Sequence, residues 1–314
     1  VTSIAVFALF FYGPSDPALA YCPETKCTPQ RLANISQTLG LNRPVVKQYG
    51  EYMKGIFVGN DFKAGGITIP CDAPCLGVSF KLRVNVTQFL IQKFPATLSL
   101  ALGGSALFLL IGVSTGIMAA RVRGTVADKV IVGSSLVINA IPYYLLALMA
   151  YLYLISQWGV FPDSGYFSPF SAGPLSWAKG LILPWLVIAL SYSTQYARFS
   201  RGSMIESMNE DYVRTARAKG LSERRVTMKH ALRAAIVPVT TIFGLDFAYL
   251  LAGTIFTEQI FSIHGIGLTA LQAIGTKDLP IISATVLIAA AFVVLMNIVV
   301  DIVYSVIDPR VRLT

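Results

Sequence analysis

Residues 209–238 read Asn-Glu-Asp-Tyr-Val-Arg-Thr-Ala-Arg-Ala-Lys-Gly-Leu-Ser-Glu-Arg-Arg-Val-Thr-Met-Lys-His-Ala-Leu-Arg-Ala-Ala-Ile-Val-Pro. Charge is dense here, while the sequence on either side is almost wholly apolar. The pattern predicts two helices of about three turns each, joined by a glycine turn. Asn209 is placed to cap the first helix with its side-chain oxygen. Glu210 and Asp211 fall in the first turn, where the helix dipole favours negative charge. Lys219 falls in the last turn, where it favours positive charge. Gly220 supplies the left-handed residue that ends a helix. Ser222 is placed to cap the second helix, Glu223 opens it, and Pro238 marks its end or the start of the next element. Helices this short are marginal alone in water, so they need a surface to dock on. Two readings stand: a peg presented to a partner protein at a membrane surface, or a basic hairpin lying on anionic lipid.

Composition makes the membrane part of both readings firm. The chain has 314 residues, of which 54% are hydrophobic and only 13% charged. Soluble domains carry about 25% charged residues. The net charge of +9 does not point to nucleic acid, because the cations sit in loops between apolar runs and form no aromatic–basic surface. They fit the excess of Lys and Arg on the cytoplasmic side of membrane proteins.

Outward from the hairpin, the apolar runs read as spans. Residues 1–13 are apolar but shorter than the roughly 20 residues a span needs, and predict the end of a first membrane helix. Residues 14–95 form a long polar insertion, helical in pattern from Tyr49 to Phe57 and amphipathic at 81–93. Pro95 to Ala119 is the second span, with Gly103, Gly104, Gly112 and Gly116 allowing close helix approach. Arg121, Arg123 and Lys129 mark a cytoplasmic loop. Val130 to Ile155 is the third span, interrupted by Pro142, and Leu181 to Ala197 is the fourth, ending at Arg198 and Arg201. Pro238 to Thr257 and Ile281 to Ile307 are the fifth and sixth, and residues 308–314 form a basic tail. This all-α reading places both termini and the hairpin inside, and the insertion outside. Its domains are the first-span remnant 1–13, the insertion 14–95, and a five-helix core 96–314 with the hairpin at 198–237.

All four cysteines, Cys22, Cys27, Cys71 and Cys75, lie in the insertion. An even count confined to one outer loop suggests two disulfides. The local pairs are one of three connectivities. A four-cysteine metal site is the competing reading, and the C-x4-C and C-x3-C spacings do not match the usual C-x2-C knuckle.

Inside the spans, Asp246 lies about 12 Å beyond Pro238 at helical rise. A charge at that depth is costly unless paired or facing water. It therefore either lines a translocation path and meets a peptide amino terminus or backbone, or bonds a neighbouring helix, a partner subunit or the hairpin arginines. Asn139 and Asn297 are weaker path candidates. The sequence shows no Gly-rich phosphate loop, no His-Glu-x-x-His and no nucleophile elbow. Its two histidines, His230 and His264, fall on opposite sides of the membrane. No catalytic set and no metal site emerge.

The hairpin closely resembles the loop of membrane subunits of ATP-binding-cassette importers that fits a groove on the ATPase. It is most similar to the B-type permease of dipeptide and oligopeptide importers, through Glu210 to Leu221 and then His230 to Pro238. Ala234 stands where that family has Asn. Leu39 to Tyr49, Phe161 to Tyr166, Leu250 to Glu258 and Ile263 to Gly267 also resemble family motifs, with His264 in place of Pro. The resemblance implies a six-span permease subunit of an ATP-driven peptide importer in a prokaryotic cell membrane. It implies coupling to the ATPase through Glu210, Asp211, Tyr212, Arg214, Thr215, Ala216, Arg217, Ala218, Lys219, Gly220 and Leu221. The implied partners are a second permease, two ATPase subunits that hold ATP and Mg, an outer substrate-binding protein and membrane lipid. This chain would carry no cofactor and no ATPase site. The alternative is an ATP-independent secondary transporter or channel, which should show intramembrane acids in repeated halves; one deep acid and no convincing inverted repeat are present.

Overall fold

In the computed structural model of the chain, residues 3–5, 7, 8, 18, 28–38, 42–64, 67–79 and 81–307 are described. Among these described residues, four helices are long and apolar enough to cross a membrane, and a bent pair makes a fifth crossing if it is one span. Of the expected first span, residues 3–5, 7 and 8 are helical; the rest of it, Cys22, Cys27 and the basic tail lie outside the described residues.

The chain forms two compact units. The first comprises residues 1–97 and 264–291. Beyond the helical residues 3–5, 7 and 8, its described elements include α1 (Pro29–Thr38) and α2 (Val45–Val58). Two antiparallel ladders follow, β1 (Phe62–Ala64) with β2 (Ile67–Ile69) and β3 (Val78–Ser79) with β4 (Val84–Asn85). Cys71 and Cys75 form a disulfide, buried with Val78 against Phe62 and Ile69. The start of α3 (Val86–Arg121) lays Val86 and Leu90 against Ala273 of α10 (Ile266–Thr276) and against Ile281 and Ala284 of α11 (Leu279–Ile307). The Thr97 hydroxyl accepts the Ile266 amide at 2.8 Å, filling one orphan donor at the start of α10. Buried Ser79 donates to buried Asp278.

The second unit comprises residues 98–263 and 292–314. It contains most of α3, then α4 (Val126–Ala140), α5 (Tyr143–Ala150), α6 (Pro174–Met208) and α7 (Asp211–Ala218). Last come α8 (Glu223–Ala252), α9 (Ile255–Ile260) and the end of α11. A glycine seam joins α3 to α6. A Cβ on Gly103 would come within 2.1 Å of Trp185, on Gly104 within 2.8 Å of Ile188, on Gly112 within 2.6 Å of Tyr196, and on Gly116 within 2.6 Å of the Ala197 carbonyl. Small residues thus let the backbones approach, as expected where packing rather than the hydrophobic effect holds helices together. Beside the first of these contacts, Trp185 donates to the Ser99 carbonyl at 2.9 Å.

Several boundaries differ from the sequence reading, mostly through proline. The amphipathic stretch 81–93 is helical only from Val86 onward, where it is part of the long span helix. Arg83 takes a left-handed turn (φ 57°), and α3 then runs 36 residues from Val86 straight through Pro95. Pro238 does not end the second hairpin helix. That helix is continuous with the fifth span over Glu223–Ala252, π-helical over Val226–Ala231, and stops at Gly253 (φ 129°). In water an interior proline breaks a helix, but apolar surroundings offer the other backbone groups no alternative partner, so the helix persists. Pro142 is different. Ile141 before it is extended (φ −80°, ψ 122°), as sterics before proline favour, and α4 meets the segment Tyr143–Gln157 at 90°.

Candidate functional site

The charged hairpin is built between the ends of α6 and α8. The sequence reading gave Asn209 to the start of α7; instead it closes α6, with φ −91° and ψ −7°. The long helix simply continues past Arg198 and Arg201 and uses Asn209 up. Glu210 takes the extended N-cap position of α7 without a side-chain cap bond, and its carbonyl accepts the Val213 and Arg214 amides at 3.0 and 3.1 Å. Ser222 likewise holds the cap backbone of the next helix, without the side-chain bond expected of it.

The turn at Gly220 forms as the sequence predicts. Its φ is +77°. The Gly220 amide donates to the Arg217 carbonyl at 2.9 Å and the Leu221 amide to the Ala216 carbonyl at 3.4 Å. This paired closure is the Schellman motif, with Leu221 packing back on the helix that it ends. A Cβ on Gly220 would meet nothing within 4 Å, so conformation, not space, requires glycine here.

α7 has two faces. Val213 and Ala216, three apart, are buried with Ala120, Met204, Val226, Ala231 and Ala235. Asp211, Tyr212, Arg214, Thr215, Ala218 and Lys219 are exposed on the other side. Polar bonds fix the heel. Buried Ser207 donates to the Ala231 carbonyl at 2.7 Å. Arg217 donates to Glu223 at 2.8 Å and to the Met208 carbonyl at 3.3 Å. The second bond fills an orphan acceptor at the end of α6. The result is a short charged peg on an apolar socket, and the socket is part of the membrane helices themselves.

Within the spans, Asp246 on α8 accepts the Tyr196 hydroxyl of α6 at 2.9 Å. Tyr196 is fully buried and its ring lies 4.7 Å from that of Phe108. The neighbour Asp246 finds is thus a helix of its own chain. Asn139, next to the α4–α5 bend, and Asn297 on α11 are both exposed. The sequence reading did not anticipate the ion pair of Asp128 on α4 with Arg201 on α6, at 2.6 Å. The signal available was an acid three residues after Thr125 in an otherwise basic loop, an N-terminal capping pattern. α5 is tied to α9 by a hydroxyl–hydroxyl bond between Tyr143 and Thr257.

Comparison with known proteins identifies the family. Residues 112–313 match the model of the binding-protein-dependent transport system inner membrane component, and residues 1–101 match the N-terminal model of the same transport-system membrane components. This chain belongs to that family. Among curated relatives, a peptide transport system permease protein of Brucella abortus (strain 2308) is 36% identical over 312 residues, covering 99% of this chain and 94% of that one. The dipeptide transport system permease protein DppB of Escherichia coli (strain K12) is 32% identical over 332 residues, with the same coverage. The inward-facing MetNI methionine ABC transporter shares the fold with a TM-score of 0.57 at 13% identity, over 71% of this chain and 97% of that chain. The chain is therefore a multi-span permease subunit of the ABC importer family, of inner-membrane type.

Proposed function

We propose that this chain is the membrane subunit of an ATP-driven importer of dipeptides or longer peptides. The peptide class is supported by the names of the full-length relatives. The coupling role is supported by one observation above all: a charged α7 face stands free of the chain while its opposite face is seated on α6 and α8. Pushing on that face moves the helix ends beneath it.

In this reading both termini and the hairpin are cytoplasmic. Two ATPase subunits grip residues 210–221, bind ATP and Mg, and hydrolyse the nucleotide; the chain itself holds no cofactor. A second, related permease completes the path, and an outer binding protein delivers the peptide. Asp246, Asn139 and Asn297 face the path or the second permease. The insertion 14–95 lies outside, where an oxidising environment favours the Cys71–Cys75 bridge. Transport by alternating access follows: nucleotide binding draws the hairpins together, and the spans tilt to open outward. The family membership leaves the ATP-independent transporter reading without support.

Reconstitution of the complex into liposomes tests this. Labelled dipeptide should accumulate only with ATP and binding protein. Accumulation of peptide by this chain alone, without ATP, would refute it.

A further inference from the structure

Asp128 is buried in the first turn of α4, and both of its oxygens are taken. Oδ1 accepts Arg201 Nε at 2.6 Å. Oδ2 accepts Arg201 Nη2 at 2.7 Å and the Gly124 amide at 2.9 Å. This is the two-pronged arginine–carboxylate geometry that fixes orientation as well as distance. The loop before α4 is set around it. Gly124 turns with φ +83°, and the Thr125 hydroxyl accepts the Asp128 amide at 3.4 Å and donates to the Val122 carbonyl at 2.6 Å. The carboxylate also sits where the α4 dipole favours it.

Arg201 lies in the stretch of α6 that carries the hairpin. Met204, one turn on, is fully buried in the socket. Ser207 and Met208, two turns on, bond Ala231 and Arg217. The last turns of α6 thus hold the peg at their end and the start of α4 at their side. α4 packs along α6 and leads to the 90° bend before α5. A helix is stiff over two turns, so a displacement of the peg reaches Arg201 little diminished, and the fork passes it to α4.

We propose that the Asp128–Arg201 pair is the joint through which movement of the hairpin reaches the bent segment α4–α5. This rests on the reading of the chain as an ATP-driven importer subunit. Both are positioning residues; neither touches nucleotide or cargo.

The test uses the assembled complex in liposomes, with dipeptide uptake and phosphate release measured on one sample to give peptide moved per ATP. Wild-type complex without ATP-dependent uptake overturns the importer reading, and the joint with it. Given wild-type uptake, Arg201→Lys, which keeps the charge but loses the fork, and Asp128→Asn should each lower the ratio at least about fivefold while hydrolysis persists. The double variant should be no worse than either single one, as for residues acting as a unit. Asp128→Glu, which keeps the carboxylate, should give an intermediate ratio and covers the case in which Asp128→Asn does not assemble. Exposed Lys129→Gln should leave the ratio unchanged. An unchanged ratio in Arg201→Lys and Asp128→Glu, whether or not the yield of complex falls, overturns the joint and leaves the pair a folding contact.

Discussion

Arg217 spans the Gly220 turn to reach Glu223, Nε to Oε1 at 2.8 Å, and so closes the hairpin on itself. Its side chain is 35% exposed and that of Glu223 65%. At that exposure a pair contributes about 0.5 kcal/mol or less, so its effect is to orient the peg rather than to hold the chain folded. Arg214 is different: it stands on the free face of α7, with only a 3.8 Å approach to Asp211.

These placements separate two substitutions that look alike in sequence. Arg214→Glu should leave the hairpin ordered and abolish binding-protein-stimulated ATP hydrolysis in the complex. Arg217→Glu sets two acids across the turn and strips the Met208 carbonyl of its partner. It should expose residues 209–222 to limited proteolysis while the membrane helices stay intact. Equal protease resistance of the two variants would contradict the account.

At Gly220 the cost of a side chain is purely conformational. A left-handed residue other than glycine costs about 1–2 kcal/mol, least for Asn and most for β-branched side chains. Gly220→Asn should retain most transport and Gly220→Val should lose it, with normal amounts of each in the membrane. A reversed order would mean that space, not φ, is limiting.

The seam of α3 on α6 obeys the opposite rule. A Cβ on Gly112 would stand 2.6 Å from the Tyr196 Cβ and 2.8 Å from the Ser193 carbonyl. Such overpacking costs about 1–3 kcal/mol, and Gly112→Ala should lower thermal stability in detergent measurably. Gly133→Ala, where nothing lies within 4 Å, should not. Equal stability of both variants would show that the seam is looser than described.

The seam was legible in the sequence, because Gly103, Gly104, Gly112 and Gly116 recur within one apolar run. So was the Gly220 turn, whose chemistry is local. What failed was the rule that sets a helix boundary at proline, as applied to Pro95 and Pro238. That rule comes from helices in water, and Pro95 and Pro238 lie in helices whose backbone has no water to turn to. Asn209 failed because caps compete: a residue that can open one helix can as well close another. Asp128 passed unseen because its partner is 73 residues away, and loop composition says nothing about which arginine an acid will meet. The polar candidates in the spans were readable as polar, but not their neighbours. Only the fold sets Tyr196 beside Asp246.

That last pair gives an asymmetric expectation. Asp246→Asn keeps an acceptor for the Tyr196 hydroxyl. Tyr196→Phe leaves a carboxylate inside the membrane helices without that donor, a loss of about 1–3 kcal/mol. Tyr196→Phe should therefore reduce the yield of folded chain more than Asp246→Asn, as read by fluorescence-detected size-exclusion chromatography in detergent. The reverse order would mean that Asp246 matters to something other than Tyr196.

The most direct test of the whole account is to purify the chain from its native membrane in mild detergent, identify what accompanies it, and assay ATP hydrolysis with and without peptide-loaded binding protein. The account predicts a related permease and two ATPases in the complex, with hydrolysis stimulated by the loaded binding protein and lost in Arg214→Glu. Recovery of the chain alone, or of a complex whose hydrolysis ignores both the binding protein and the α7 face, would contradict it.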